Sequence, residues 1–281
     1  MNDRLQRALA KARQKTPQNN LGTGLITYLM AGDPNSETTL RRLKGLAQAG
    51  VDILELGVPF SDPIADGPVI QAAGLRALKG GTNLRGVLGL VRRFREENHE
   101  TPVLLMSYLN PILTYDYDRF LRDAVQAGVD GIILPDLPWR ECASFRQRAS
   151  EVIEDLLTFI PMIAQTSLPD HLQTLSDVED GFAYVLSRNG ITGGEAEIPP
   201  HILNFILSLK TPLSLPRFVG FGIQAPEQVA KLSEVCEGVI VGSALVKRFA
   251  ELDDLKLPEA EICNCEQEVY KWVFKLRNSP C

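Results

Sequence analysis

The sequence predicts an α/β protein, a closed (β/α)8 barrel of the TIM type with an extra N-terminal capping helix. Short apolar runs alternate with longer segments of helical periodicity, eight times over, at a spacing of roughly thirty residues. Most runs are too uniformly apolar for half-exposed antiparallel strands and fit parallel strands buried on both faces. The first run ends in Ala31-Gly32-Asp33-Pro34 and not in the glycine-rich turn that an open doubly wound sheet places after its first strand. All 281 residues are expected to form one domain, with the barrel proper at about 25–278.

The strands are expected at Leu25–Met30, Ile53–Leu56, Val103–Ser107, Gly131–Leu134, Leu157–Ile160, Phe182–Leu186, Arg217–Phe221 and Val239–Val241. Ser36-Glu37-Thr38-Thr39 opens one intervening helix and Ala49-Gly50 closes it. Phe120 through Ala127-Gly128 repeats the pattern, with glycine just past the helix end. About the first twenty residues are expected to form a helix capping the barrel bottom. After Phe249 come an acidic, proline-containing loop and a last helix from Glu266 to Leu276.

Composition narrows the functional classes. The chain is 44% hydrophobic, yet no apolar run reaches the ~20 residues of a membrane span. Its polar first twenty residues do not read as a signal peptide. A net charge of −6 argues against nonspecific nucleic-acid binding. The five cysteines are an odd, scattered set, which reads as reduced thiols in a cytoplasmic protein. Cys263 and Cys265 form a Cys-x-Cys pair, but a structural zinc needs four ligands and only Cys236 and Cys281 could join them; no metal is expected.

In a β/α barrel the chemistry lies at the C-terminal ends of the strands. Three of those ends lead into glycine-bearing loops: Ser187 to Gly194, Gly220-Phe221-Gly222-Ile223 and Gly242-Ser243-Ala244. Single glycines are ordinarily tight turns. Three at one corner of a barrel, beside helix N-termini, make a phosphate site. Strand two contains Glu55 between Leu54 and Leu56, where a carboxylate is desolvated and its pKa rises toward neutrality. Asp62 and Asp66 follow in an irregular loop, where turn capping is as good a reading as catalysis on spacing alone.

No predicted strand contains the lysine of a Schiff-base aldolase. The three histidines, His99, His171 and His201, fall in helical or connecting segments and do not form a ligand set. What remains is carboxylate acid–base chemistry on a phosphorylated substrate. Tyr28, Met106, Tyr108, Ile133, Tyr184 and Phe221, at or near other strand ends, would together line a flat apolar pocket for an aromatic ring.

These motifs closely resemble those of the tryptophan synthase alpha subunits. The resemblance runs from about Leu25 to Lys247. It rests on Ala31-Gly32-Asp33-Pro34, Glu55 to Pro68, Tyr108-Leu109-Asn110-Pro111, Leu134-Pro135-Asp136-Leu137-Pro138, Ser187-Arg188 through Gly193, Gly220-Phe221-Gly222-Ile223 and Val241 to Lys247. It implies a retro-aldol cleavage of indole-3-glycerol phosphate to indole and glyceraldehyde 3-phosphate, without a cofactor in this chain. By resemblance, Glu55 is the general acid for the indole ring carbon and Asp66 binds the indole N–H. Phosphate contacts fall on Gly193, Gly222, Gly242 and Ser243. Thr192 matches the threonine of a mobile loop that also contains Arg188. The resemblance further implies an α2β2 heterotetramer with a beta subunit that carries pyridoxal phosphate and receives the indole. The surfaces that meet it match Pro59–Pro63 and Asn110-Pro111.

The chain departs from the pattern at Ala164-Gln165-Thr166-Ser167, where Ala-Pro-Thr-Ser is common, and at Asn189, where threonine or serine is usual. The acidic, cysteine-bearing tail departs as well. Three other readings stand beside this one: a phosphate-dependent isomerase or epimerase on the same scaffold, a barrel kept mainly to activate a beta subunit, and a stand-alone lyase that releases free indole.

Overall fold

The structure is a computed structural model and describes residues 3–13, 23–167, 169–176, 178–186, 198–220 and 222–278. Nine parallel strand segments alternate with helices among these residues. They are β1 (Gly24–Met30), β2 (Ile53–Gly57), β3 (Val103–Met106), β4 (Gly131–Ile133), β5 (Thr158–Phe159), β6 (Met162–Ala164), β7 (Ala183–Leu186), β8 (Arg217–Gly220) and β9 (Gly238–Val241). Their order is β5-β4-β3-β2-β1-β9-β8-β7-β6.

The two ends of this sheet, β5 and β6, are separated in sequence only by Ile160 and Pro161. They are two halves of the expected fifth strand, so the sheet returns on itself as a barrel. The expected strand Leu157–Ile160 is corrected here: it is interrupted, and it continues to Ala164. Proline has no N–H for a ladder, and the strand changes partner at that point. The Ile160 N–H donates to the Ile132 carbonyl at 2.9 Å, whereas the Pro161 carbonyl accepts from Tyr184 N–H at 2.9 Å.

Alternation along each strand divides the apolar residues between two layers. Leu25, Leu29, Leu54, Leu56, Leu105, Val185 and Val219 face outward, toward the helices. Ile26, Ile53, Leu104, Phe182, Phe218 and Ile240 fill the lower barrel interior, where Leu5, Leu9 and Ala12 of the helix Asp3–Arg13 plug the bottom. The N-terminal capping helix is therefore present, over Asp3–Arg13, and the remainder of the expected twenty-residue span lies outside the described residues.

The helices start where short polar side chains can satisfy free backbone donors. The Asn35 carboxamide accepts from Thr38 N–H at 2.9 Å to open Ser36–Gln48, and Asp116 does the same for Tyr117–Ala127 through Arg119 N–H. Gly128, at φ +88°, ends the second of these in the left-handed conformation that glycine tolerates.

The last helix is corrected in length. It runs Glu259–Arg277, not Glu266–Leu276, because Pro258 and the first-turn Glu259 and Glu261 favour a start there. The acidic residues before it, Glu251, Asp253 and Asp254, belong to the helix Ser243–Asp254 and not to a loop. Buried Glu266 joins this terminal helix to Ser36–Gln48: it accepts from Arg42 Nε at 2.8 Å and from Arg41 Nε at 2.9 Å. Cys263 and Cys265 are free thiols on the same helix. Among the described residues, no helix is long and apolar enough to cross a membrane.

One device recurs at the bottom of the barrel. Asp52, Asp130 and Glu237 each precede a strand and accept the N–H at or near the start of the strand beside it. Their partners are Leu25 at 2.9 Å, Val103 at 2.7 Å and Arg217 at 2.7 Å. Each carboxylate also meets an arginine: Arg277, Arg95 with Arg4, and Arg217 itself. Charge-assisted bonds of this type are short and directional, so they fix register where strands begin.

Candidate active site

The upper interior is built differently. Glu55 points inward from β2 in register with Tyr28 of β1 and Leu104 of β3, and its accessible surface is 0%. Neither carboxyl oxygen has a hydrogen-bond partner among the described residues. Burial therefore penalises the charged form and, with the nearby Asp66 adding repulsion, raises the Glu55 pKa to about 8. At neutral pH Glu55 holds its proton and can deliver it.

Asp66 lies part-buried at the end of the loop that follows β2. Burial raises its pKa to about 6, against the opposing pull of a hydrogen bond from Tyr108. The Tyr108 hydroxyl also accepts the Ala65 N–H at 2.9 Å, so one side chain fixes both the backbone and the carboxylate of the loop tip. Asp66 is ionised at neutral pH. Two carboxyls with separated pKa values can hold one proton and one negative charge side by side at neutral pH.

The rest of the loop is pinned from both sides. Gly67 caps the helix Pro68–Lys79, and Arg76 of that helix grips Asp33 through two bonds of 2.7 Å. Phe60 packs on Tyr108 with ring centroids 5.3 Å apart. A Cβ on Gly57 would collide with the Tyr28 hydroxyl, so the glycine leaves room for that ring inside the barrel.

Of the apolar residues expected to line a pocket, Tyr28, Met106, Ile133 and Tyr184 belong to the interior clusters and Tyr108 stands beside Asp66. Tyr28, Tyr108 and Tyr184 are each raised in pKa, first by burial and then by the charges of Asp66, Glu55 or both. Ile133 is wholly buried in the interior cluster, and Met106 packs against it. Sequence reasoning missed Met162 and Leu186, which also border this interior. Leu186 was legible as the second inward position after Tyr184; Met162 lies past the proline where the fifth strand was expected to end.

At the corner where the sequence places a phosphate, Gly242 follows β9 and caps the helix Ser243–Asp254, whose first residue is Ser243. Gly222 follows β8 with φ +73°, a conformation that favours glycine. A helix N-terminus such as this one, capped by Gly242, presents backbone donors that favour an anion. Arg188, Thr192, Gly193 and Phe221 lie outside the described residues. His99 and His201 are exposed and His171 is half-buried on the short helix Pro169–Gln173, where its ring nitrogen lies 3.4 Å from the Met162 carbonyl.

Fold and site together define a TIM-type barrel whose interior holds two carboxyls with raised pKa values among tyrosine and apolar side chains. Comparison with known proteins makes this specific. The tryptophan synthase alpha chain family matches residues 13–274. A tryptophan synthase alpha chain of Carboxydothermus hydrogenoformans is 46% identical over 223 residues, covering 79% of this chain and 82% of that one. The crystal structure of tryptophan synthase subunit alpha from Legionella pneumophila superposes with a TM-score of 0.84 at 36% identity, covering 100% of this chain and 98% of that one. The structure from the tryptophan synthase α2β2 complex of Pyrococcus furiosus gives 0.78 at 34% identity, over 91% and 98% of the two chains. This chain belongs to the tryptophan synthase alpha chain family, lyases of tryptophan biosynthesis that cleave indole-3-glycerol phosphate.

Proposed function

We propose that this chain performs its lyase reaction with Glu55 as the general acid and Asp66 as the anion that receives the indole N–H. The observation that carries the assignment is the Glu55 carboxyl, fully buried and without a hydrogen-bond partner on an inward strand position. Protonation of the indole ring carbon by Glu55 weakens the bond from that carbon to the glycerol chain. As the bond breaks, the glycerol hydroxyl loses its proton and becomes the aldehyde. The Glu55 carboxylate is placed to take that proton and return to its starting state. Ionised Asp66 stabilises positive charge that develops on the ring nitrogen.

Gly222, Gly242 and Ser243 would hold the phosphate, together with Gly193. Tyr28, Met106, Tyr108, Ile133, Tyr184 and Phe221 would enclose the ring, and Thr192 and Arg188 belong to the segment that closes the site. No cofactor enters these steps.

In this reading the indole is passed to a beta subunit carrying pyridoxal phosphate in an α2β2 assembly; the solved Pyrococcus furiosus structure is named for an α2β2 complex of its own. A cleft of about 520 Å³ supports this reading, because Pro59, Phe60 and Ser61 share its lining with Asn110 and Pro111. Ile64, 82% exposed, stands in the same loop. The chain is read as one domain of 281 residues acting in the cytoplasm.

Glu55→Gln tests the assignment. It should leave the fold intact and lower indole formation from indole-3-glycerol phosphate by roughly 10²–10⁴-fold, the usual worth of a general acid. A variant with wild-type turnover would refute the role.

A further inference from the structure

A cavity of about 550 Å³ lies where the fifth strand is interrupted, and the steps above make no use of it. Its walls come from both sides of the barrel. Ile160, Met162 and Leu186 belong to the interior, whereas Phe159, Ile163 and Cys142 belong to the layer beneath the helices. A continuous strand keeps those layers apart. Here the ladder changes partner at Pro161, and the helix that follows, Pro169–Gln173, is only five residues long.

Met162 pairs in register with Tyr184, the ring that feels the charges of Glu55 and Asp66. Met162 and Leu186 thus stand between the carboxylates and the cavity. With β5 and β6 counted as one strand, β7 lies directly across the barrel from β2. With both carboxyls on the β2 side, an indole held with its nitrogen at Asp66 and its C3 at Glu55 would turn its opposite, C5–C6 edge toward β6 and β7. Methionine is unbranched and adapts its shape readily, so it makes a yielding partition.

We propose that this cavity is an annex of the ring pocket, and that the substrates of this enzyme include indole-3-glycerol phosphates bearing apolar substituents at C5 or C6. The inference rests on the assignment of Glu55 and Asp66 above.

The reverse reaction tests it without synthesis of the substituted esters. The C3 of an indole attacks the aldehyde carbon of glyceraldehyde 3-phosphate, the ring loses its C3 proton and the aldehyde oxygen gains one. Indole, 5-propylindole and 6-propylindole are compared by kcat/KM with the full chain. At least one propylindole should fall within about tenfold of indole, since a ready-made apolar space offsets the added carbons. Cys142→Phe fills the cavity from the helix side and should slow that propylindole by about a hundredfold while leaving indole unchanged. Cys142→Leu, a smaller filling, should show the same selectivity to a lesser degree if the phenylalanine variant does not fold. Both propylindoles more than tenfold slower than indole, or filling variants without selectivity, would overturn the proposal. Failure of indole itself to condense would instead overturn the reading on which the proposal rests.

Discussion

Glu55 and Asp130 are both carboxylates with 0% exposure inside one barrel, and their surroundings are opposite. Asp130, at the bottom, accepts from Arg95 Nη2 at 2.6 Å, Arg4 Nε at 2.7 Å and Val103 N–H at 2.7 Å. Glu55, near the top, accepts from no group among the described residues. A saturated carboxylate is a fastener that holds strand starts in register. An unsatisfied one is a strained group, kept neutral by its burial and therefore ready to give up a proton to a substrate.

The first way to break this comparison is Asp130→Ala. It leaves Arg95 and Arg4 without their shared anion and should cost about 3–5 kcal/mol of unfolding free energy in urea titration. The protein that remains folded should keep its lyase activity. A loss of activity without a loss of stability would erase the distinction between the two ends.

Glu55→Gln should act on stability in the other direction. The folded-state pKa of about 8 lies well above the ordinary range of a glutamate carboxyl, so the folded chain keeps a proton that the unfolded chain releases. The stabilising contribution is complete below about pH 4.5 and is lost as pH rises toward 8. Glutamine never ionises and escapes that loss. Equilibrium unfolding should show the variant more stable than the parent by about 2–4 kcal/mol at high pH, with the difference shrinking toward pH 5. A pH-independent difference would mean that Glu55 ionises normally.

Tyr108→Phe is the mildest change. It removes the hydrogen bond that lowers the Asp66 pKa and the acceptor of the Ala65 N–H. The acid limb of the kcat profile should move to higher pH, with a stability cost of about 1 kcal/mol. An unmoved profile would show that Asp66 does not titrate in catalysis.

Much of this was legible in the sequence because parallel barrel strands carry so little polar information that exceptions stand out. Glu55 between two leucines was such an exception. Asp66 was not: in a loop of prolines and glycines its role came only from the family motif, and burial with Tyr108 supplied the physical reason. The fifth strand was misjudged because Pro161 looks like a terminator. In a barrel, a residue without an N–H also serves where a strand passes from one neighbour to the next. The terminal helix was cut short because its first turns, rich in Glu and Cys, lack an apolar stripe and are held by Arg41 through Glu259 and Glu266. The saturated carboxylates at the barrel bottom left no local signal, since each depends on partners far away in the chain.

The most direct test of the central claim is the carboxyl titration of Glu55, followed by carbon-13 NMR in glutamate-labelled protein and assigned by its loss in Glu55→Gln. The account predicts a midpoint near 8 in the free enzyme. A midpoint near the ordinary value, ~4.3, would contradict it.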